Sequence, residues 1–317
     1  MKSRHSIQFH RLILFIAIGI SLLSVNKSEA KAPFLNAEEL TIPPPKIIRT
    51  CCSFGADIGI SGIPFIKKTD ITSINEIGAH HYLGNIEENN GNIYTKRGGF
   101  LDLGHLRDCA DWTAYLYQLI LASKENHELE IIRLGNEGGS KILELKIPED
   151  FEEWEAVELA GKIAYDLSLW HEIATWYGTS YVPLLPERYS SFSPEDLYSN
   201  LLGVRLGMEA IKSELEYDEA MTFLLSEMLD HLDVVQTQEE TYDAMVRVDD
   251  IWYTSQKRLP NKKLLVKRYL DPDSFLTPWL VPGLESYRDP VILNKPDPAL
   301  SYLYELQVNL NFRFPVK

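Results

Sequence analysis

Apolar residues recur at helical spacing through several long stretches of this chain, and three of those stretches carry polar residues where helix packing calls for apolar ones. Around Asp102–Lys124 the pattern runs through Leu106, Ala110, Tyr117 and Leu121, which predicts a helix. A second helix, from about Glu149 to Tyr177, is apolar around most of its circumference; Gly178 is placed to end it. Only Ser168, His171, Glu172 and Thr175 form a polar stripe on it. Ser193-Pro194-Glu195-Asp196 reads as an N-cap, a proline at the first helical position and acids in the first turn, so a third helix starts there. Tyr217–Val235 and Glu239–Trp252 predict two more.

Alternation replaces helical spacing elsewhere. Lys46–Cys52 is β-prone, and Asp57–Asn92 reads as strands and loops. Glu128–Leu134 and Lys141–Ile147 flank Gly135-Asn136-Glu137-Gly138-Gly139, a hairpin signature. Ser301–Phe314 reads as a late strand, and the proline-rich stretch from 261 onward reads as an irregular surface wrap. The expected class is α+β: a central helical cluster carrying a buried polar site, with β hairpins and strands at its flank.

At the N-terminus, Lys2, Arg4 and Arg11 precede the apolar run Leu12–Val25, and Ser28-Glu29-Ala30 presents small residues at a peptidase site. The expected organisation is a cleavable signal peptide over 1–30, a Pro-rich extended lead-in over 31–45 and a single globular domain over 46–317. The expected location is the periplasm or the cell exterior, with no transmembrane span once the signal is removed. Loss of residues 1–30 takes the net charge from -15 to -18. So acidic a surface repels phosphate backbones and argues against nucleic acid as a partner. Of the three cysteines, Cys51 or Cys52 could bridge to Cys109, or all three could be small buried hydrophobes.

The polar positions supply the candidate chemistry. Asp196, Asn200, Gly203 and Gly207 are spaced by four, three and four, so they share one helix face on which the glycines admit a neighbouring helix. His105 has Asp102 and Asp108 three residues to either side, giving carboxylates to orient its ring. His171 and Glu172 point roughly 100° apart on their helix, so one is expected at the reacting centre and the other as its support. The candidate catalytic residues are His105, Asp108, His171, Glu172, Arg188, Asp196 and Asn200, and the candidate metal ligands are His105, His171 and Asp196. Two histidines with carboxylates suit a divalent metal such as zinc. HEIAT lacks the second histidine of HExxH, Ser190, Ser191 and Ser193 lack a GxSxG elbow, and no phosphate loop is present. His80, His81, His127 and His231 lie in polar stretches and are expected mostly at the surface.

Four segments, RTCCSFG, GGFLDLGHLRDCADWT, LSLWHEIATWYG and ERYSSFSPEDLYSNLLG, together resemble an exported bacterial family known as domain of unknown function 4056. More distantly, the order of His105, Glu172, Arg188, Ser193, Asp196, Asn200, Gly203 and Gly207 is similar to that in VanZ-like and YfiM-like proteins. Two readings of function follow. One is a metal-assisted hydrolase of the cell envelope, with Glu172 as general base and Arg188 holding an anionic substrate. The other is a non-catalytic envelope protein whose polar cluster fixes helix packing while a surface groove takes a small molecule, lipid, glycan or protein.

Overall fold

The computed structural model describes residues 35, 40, 43, 49, 54–61, 65–126, 131–134, 139–178, 188, 190–259 and 267–310. The expected signal peptide, most of the lead-in, all of the expected strand at 46–52 but Arg49, Cys51 and Cys52 among it, and the hairpin turn at 135–138 lie outside the described residues. Within them the architecture is α+β. Two short antiparallel strands, β3 (Asn92–Thr95) and β4 (Gly99–Asp102), pair with Asn92 opposite Asp102 and lead straight into the first long helix, α1 (Leu103–Asn126). Asp102 makes that transition possible, since its Oδ1 accepts hydrogen bonds from the backbone N–H groups of Gly104 (2.8 Å) and His105 (3.1 Å). The strand therefore ends as the cap of the helix.

Helix α2 spans Glu153–Trp176, and Gly178 follows it at φ +97, the left-handed conformation expected of a residue just past a helix end. Helix α3 (Asp196–Lys212) begins later than the Ser-Pro pattern implies. The Ser193 hydroxyl donates to Glu195 Oε1 (2.7 Å), and Asp196 Oδ2 accepts from the Ser193 N–H (2.7 Å). Those bonds hold residues 194–195 in a turn before the helix. Helices α4 (Tyr217–His231) and α5 (Gln238–Arg247) complete the α-helices among the described residues, beside short 3-10 turns at Ile86–Glu88 and Pro298–Leu303. Both stop several residues short of the ends the periodicity predicts.

Helix α1 packs most closely on α3 and next on α2. The reason is visible at the glycines of α3. A Cβ added at Gly203 would lie 1.9 Å from the Leu106 carbonyl oxygen, and one at Gly207 would lie 2.8 Å from that of Ala110. Backbone thus touches backbone, and α1 and α3 advance together so that Asp196 and Asn200 face α1 at the same joint. Around it lies the main core, with Leu106, Tyr115, Leu159, Ile163, Leu201 and Leu206 all buried.

The strand elements sit outside this cluster. The predicted hairpin is present as β5 (Ile131–Arg133) against β6 (Gly139–Leu145), and the late strand β10 (Tyr304–Leu310) adds to the other edge of β6, all antiparallel. Earlier in the chain, β1 (Ile58–Ile60) pairs with β2 (Lys67–Lys68) and with β7 (Arg258–Leu259), while β8 (Phe275–Leu276) pairs with β9 (Leu293–Asn294). A smaller aromatic core of Phe54, Tyr94, Phe100, Trp252 and Tyr253 packs beside β3 and β4. Among the described residues, no helix is long and apolar enough to cross a membrane.

Candidate metal centre

Three helices bring the polar positions together. His105 stands in the first turn of α1, His171 and Glu172 near the end of α2, and Asp196 at the start of α3. One donor atom from each of His105, His171 and Glu172 lies within 4.8 Å of the others, and the two imidazoles meet edge to face with centroids 5.8 Å apart. His105 Nδ1 is 3.3 Å from Asp196 Oδ1. The 100° offset between His171 and Glu172 therefore does not keep them apart. His171 approaches from the partly exposed side of α2 while Glu172 is buried beneath it, and both side chains are long enough to reach one point.

The carboxylates are held from behind. Glu172 Oε2 accepts the Phe192 N–H at 2.7 Å, and Asp196 Oδ2 accepts the Ser193 N–H at 2.7 Å. Their other oxygens are not held this way: Glu172 Oε1 is buried with no hydrogen-bond partner among the described residues, and Asp196 Oδ1 makes no hydrogen bond of good geometry despite its proximity to His105. Burial, reinforced by the negative Asp196, pushes the Glu172 carboxyl up to about 8 against the opposing pull of His171 and His105. Glu195, fully buried with an Oε2 that also has no hydrogen-bond partner among the described residues, is raised by burial and by Asp196 in the same way. Three buried carboxylates crowd one place.

Asn200 sits one turn further along α3, and its Oδ1 lies 3.5 Å from Cys109 Sγ, so it lines the same joint below the imidazoles. Arg188 reaches the neighbourhood through its main chain, its carbonyl accepting from Arg268 Nη2 at 3.0 Å. Asp108, a neighbour of His105 one turn on along α1, is engaged by another partner: its Oδ1 accepts from Arg49 Nη1 at 3.0 Å, which makes it part of a second buried cluster.

That second cluster corrects the surface expectation for His80. The side chain of His80 is fully buried, with Nε2 3.0 Å from Asp111 Oδ1, and Tyr217 donates to the same oxygen at 2.9 Å. Arg49 binds both oxygens of Glu88 at 2.7 Å and Asp111 Oδ2 at 2.7 Å. Burial alone would raise Glu88 and Asp111, yet Arg49, aided by Arg107 at the first and His80 at the second, holds each down at about 2. The residues here come from distant stretches of chain with no shared periodicity, so the pattern could not expose them. His81 is half-exposed and His231 exposed, as expected, and His127 lies outside the described residues.

Arg268 and Tyr269 come from the stretch that the prolines mark as a surface wrap. Burial lowers the Arg268 guanidinium while Asp196, Glu172 and Glu195 oppose that shift, which places its charge beside theirs. Tyr269 Oη is buried, and its hydroxyl is raised first by burial and then by Asp196 and Glu195. Only an isolated Arg-Tyr pair marks them in the sequence.

The donor set of two imidazoles and a carboxylate is one that binds divalent transition metals. Around a tetrahedral zinc with bonds of about 2.0–2.1 Å, neighbouring donors are about 3.4 Å apart. The donors here lie within 4.8 Å of one another, so binding such an ion would draw them closer together.

No curated protein and no solved structure matches the chain. The motif-level likeness to VanZ-like and YfiM-like proteins thus gains no support. One family model does match, over residues 39–282, a span that takes in every residue of both clusters. The chain belongs to the family described as protein of unknown function, DUF4056.

Proposed function

We propose that His105, His171 and Glu172 bind one divalent transition-metal ion and that the protein is a metal-assisted hydrolase. The observation that carries this reading is the convergence of three donors from two helices, together with a buried Glu172 Oε1 that lacks a hydrogen-bond partner among the described residues. Charge supports it too. Glu172, Glu195 and Asp196 bring three carboxylates together in a buried place beside Arg268, and a dication would relieve their mutual repulsion. In this arrangement Asp196 orients His105 through Nδ1, leaving Nε2 for the metal, as carboxylates behind metal-bound histidines do. The ion would lower the pKa of a bound water to about 7 and so supply a hydroxide at neutral pH. We read the apolar run at residues 12–25 as an export signal, and on that reading the substrate is an envelope small molecule, lipid or glycan.

A second reading has its own observation. Glu172 and Asp196 each accept a backbone N–H from the segment before α3, so the cluster also ties α2 to that segment and could serve packing alone. Metal analysis of untagged protein separates the two. The hydrolase reading expects about one equivalent of zinc or a similar ion, lost in His105→Ala and His171→Ala with the fold retained. A wild-type protein that takes up no divalent ion during titration leaves the packing network as the function.

A further inference from the structure

The loop before α3 is strained, and something has to hold it. Phe192 has φ +55, a left-handed conformation that side chains other than glycine and asparagine rarely adopt. Its N–H and that of the next residue, Ser193, are the two donors that pin Glu172 and Asp196. The orientation of both carboxylates therefore depends on this backbone staying as it is.

Arg268 spans that loop from outside. One guanidinium nitrogen, Nη1, donates to the Ser191 carbonyl oxygen, and Nη2 donates to that of Arg188 at 3.0 Å. The same guanidinium lies over the ring of Trp176, 5.0 Å from its centroid, at the last turn of α2 and one turn beyond Glu172. A single planar group thus joins the end of α2 to both ends of the 188–191 turn, immediately before the two donors.

We infer that Arg268 is a positioning residue for the proposed metal centre: it locks the 188–193 loop so that the Phe192 and Ser193 amides hold Glu172 and Asp196 in register with His105 and His171. The inference rests on the metal reading for its consequence and on the loop contacts for its geometry. Arginine suits the task because its fork reaches two carbonyls and its flat face stacks on an indole, which a lysine ammonium cannot do together.

The sign of the effect distinguishes positioning from simple electrostatics. A positive charge beside a cation site weakens cation binding, so removing it should tighten the site if charge were its whole contribution. Positioning predicts the reverse. Arg268→Gln and Arg268→Lys should each weaken zinc binding at least tenfold, Arg268→Lys less than Arg268→Gln, and should speed amide hydrogen exchange at Phe192 and Ser193 at least tenfold while leaving the α1 core protected. Unchanged exchange at those two amides in either variant overturns the inference, as does zinc binding that tightens in Arg268→Gln. If Arg268→Gln does not fold, the milder Arg268→Lys decides by the same two measurements. Should the wild type bind no zinc, the metal reading fails by itself, and the exchange result still decides whether Arg268 holds the loop.

Discussion

His105 Nδ1 and Asp196 Oδ1 stand 3.3 Å apart across the joint between α1 and α3, two residues separated by 91 positions in sequence and brought together by helices close enough for backbone contact. If this pair orients a metal-bound imidazole, Asp196→Asn keeps an oxygen for the Ser193 N–H but loses the charge behind the ring. The expected result is a 10–100-fold loss of zinc affinity, measured by competition with a chromogenic chelator, and a native circular dichroism spectrum. Unaltered affinity would remove Asp196 from the site's machinery.

Glu172 makes stability depend on pH in an unusual direction. Its folded pKa, about 8, lies above its unfolded value, so the protonated form favours the fold. In metal-free protein the contribution is complete below about pH 4.3 and is lost as pH rises through about 8. Thermal melts of the metal-free wild type should fall in midpoint between pH 5 and pH 8.5. Glu172→Gln should make that slope shallower, leaving the part that Glu195 contributes in the same direction, and match or exceed the wild type at pH 8.5. Excess zinc should reverse the slope for the wild type, since the ion requires the carboxylate ionised. A metal-free melt that is steady across this range counts against the crowded-charge description.

The α1–α3 joint can be tested without touching the chemistry. Gly203→Ala puts a methyl group against the Leu106 backbone, where it would sit 1.9 Å from a carbonyl oxygen, and neither helix can yield by side-chain rotation alone. A loss of about 1–3 kcal/mol in urea denaturation is expected, with a smaller one for Gly207→Ala, whose nearest approach is 2.8 Å. Equal costs at the two positions would mean the helices are not held as described.

Arg49 tests the second cluster. Its guanidinium binds Glu88 through two bonds and also reaches Asp111, all with side chains essentially removed from solvent. Arg49→Ala leaves two buried carboxylates without their main counter-charge, and a destabilisation of about 3–5 kcal/mol is expected. Metal stoichiometry should be unchanged in the folded fraction. Loss of the metal with little loss of stability would instead join this cluster to the site.

The sequence by itself determined the helices, the hairpin and most of the site's membership. Helical spacing exposed α1 to α5, and polar residues on otherwise apolar faces exposed His105, His171, Glu172, Asp196 and Asn200, because burial of such groups is costly enough to leave a visible anomaly in the pattern. The glycine spacing of α3 foretold the close approach that Leu106 and Ala110 confirm. Periodicity reports which face of an element is buried and nothing of what lies opposite. Only tertiary structure decided that Glu172 and His171 reach one point, that Asp108 turns to Arg49 and that His80 is buried against Asp111. The same holds for Arg268 and Tyr269, which reach the site from an irregular proline-rich stretch where no repeat marks an inward side. Those contacts join segments tens of residues apart, and their energy lies in pairings of charge and hydrogen bonds that a single chain, read in order, does not encode as a pattern.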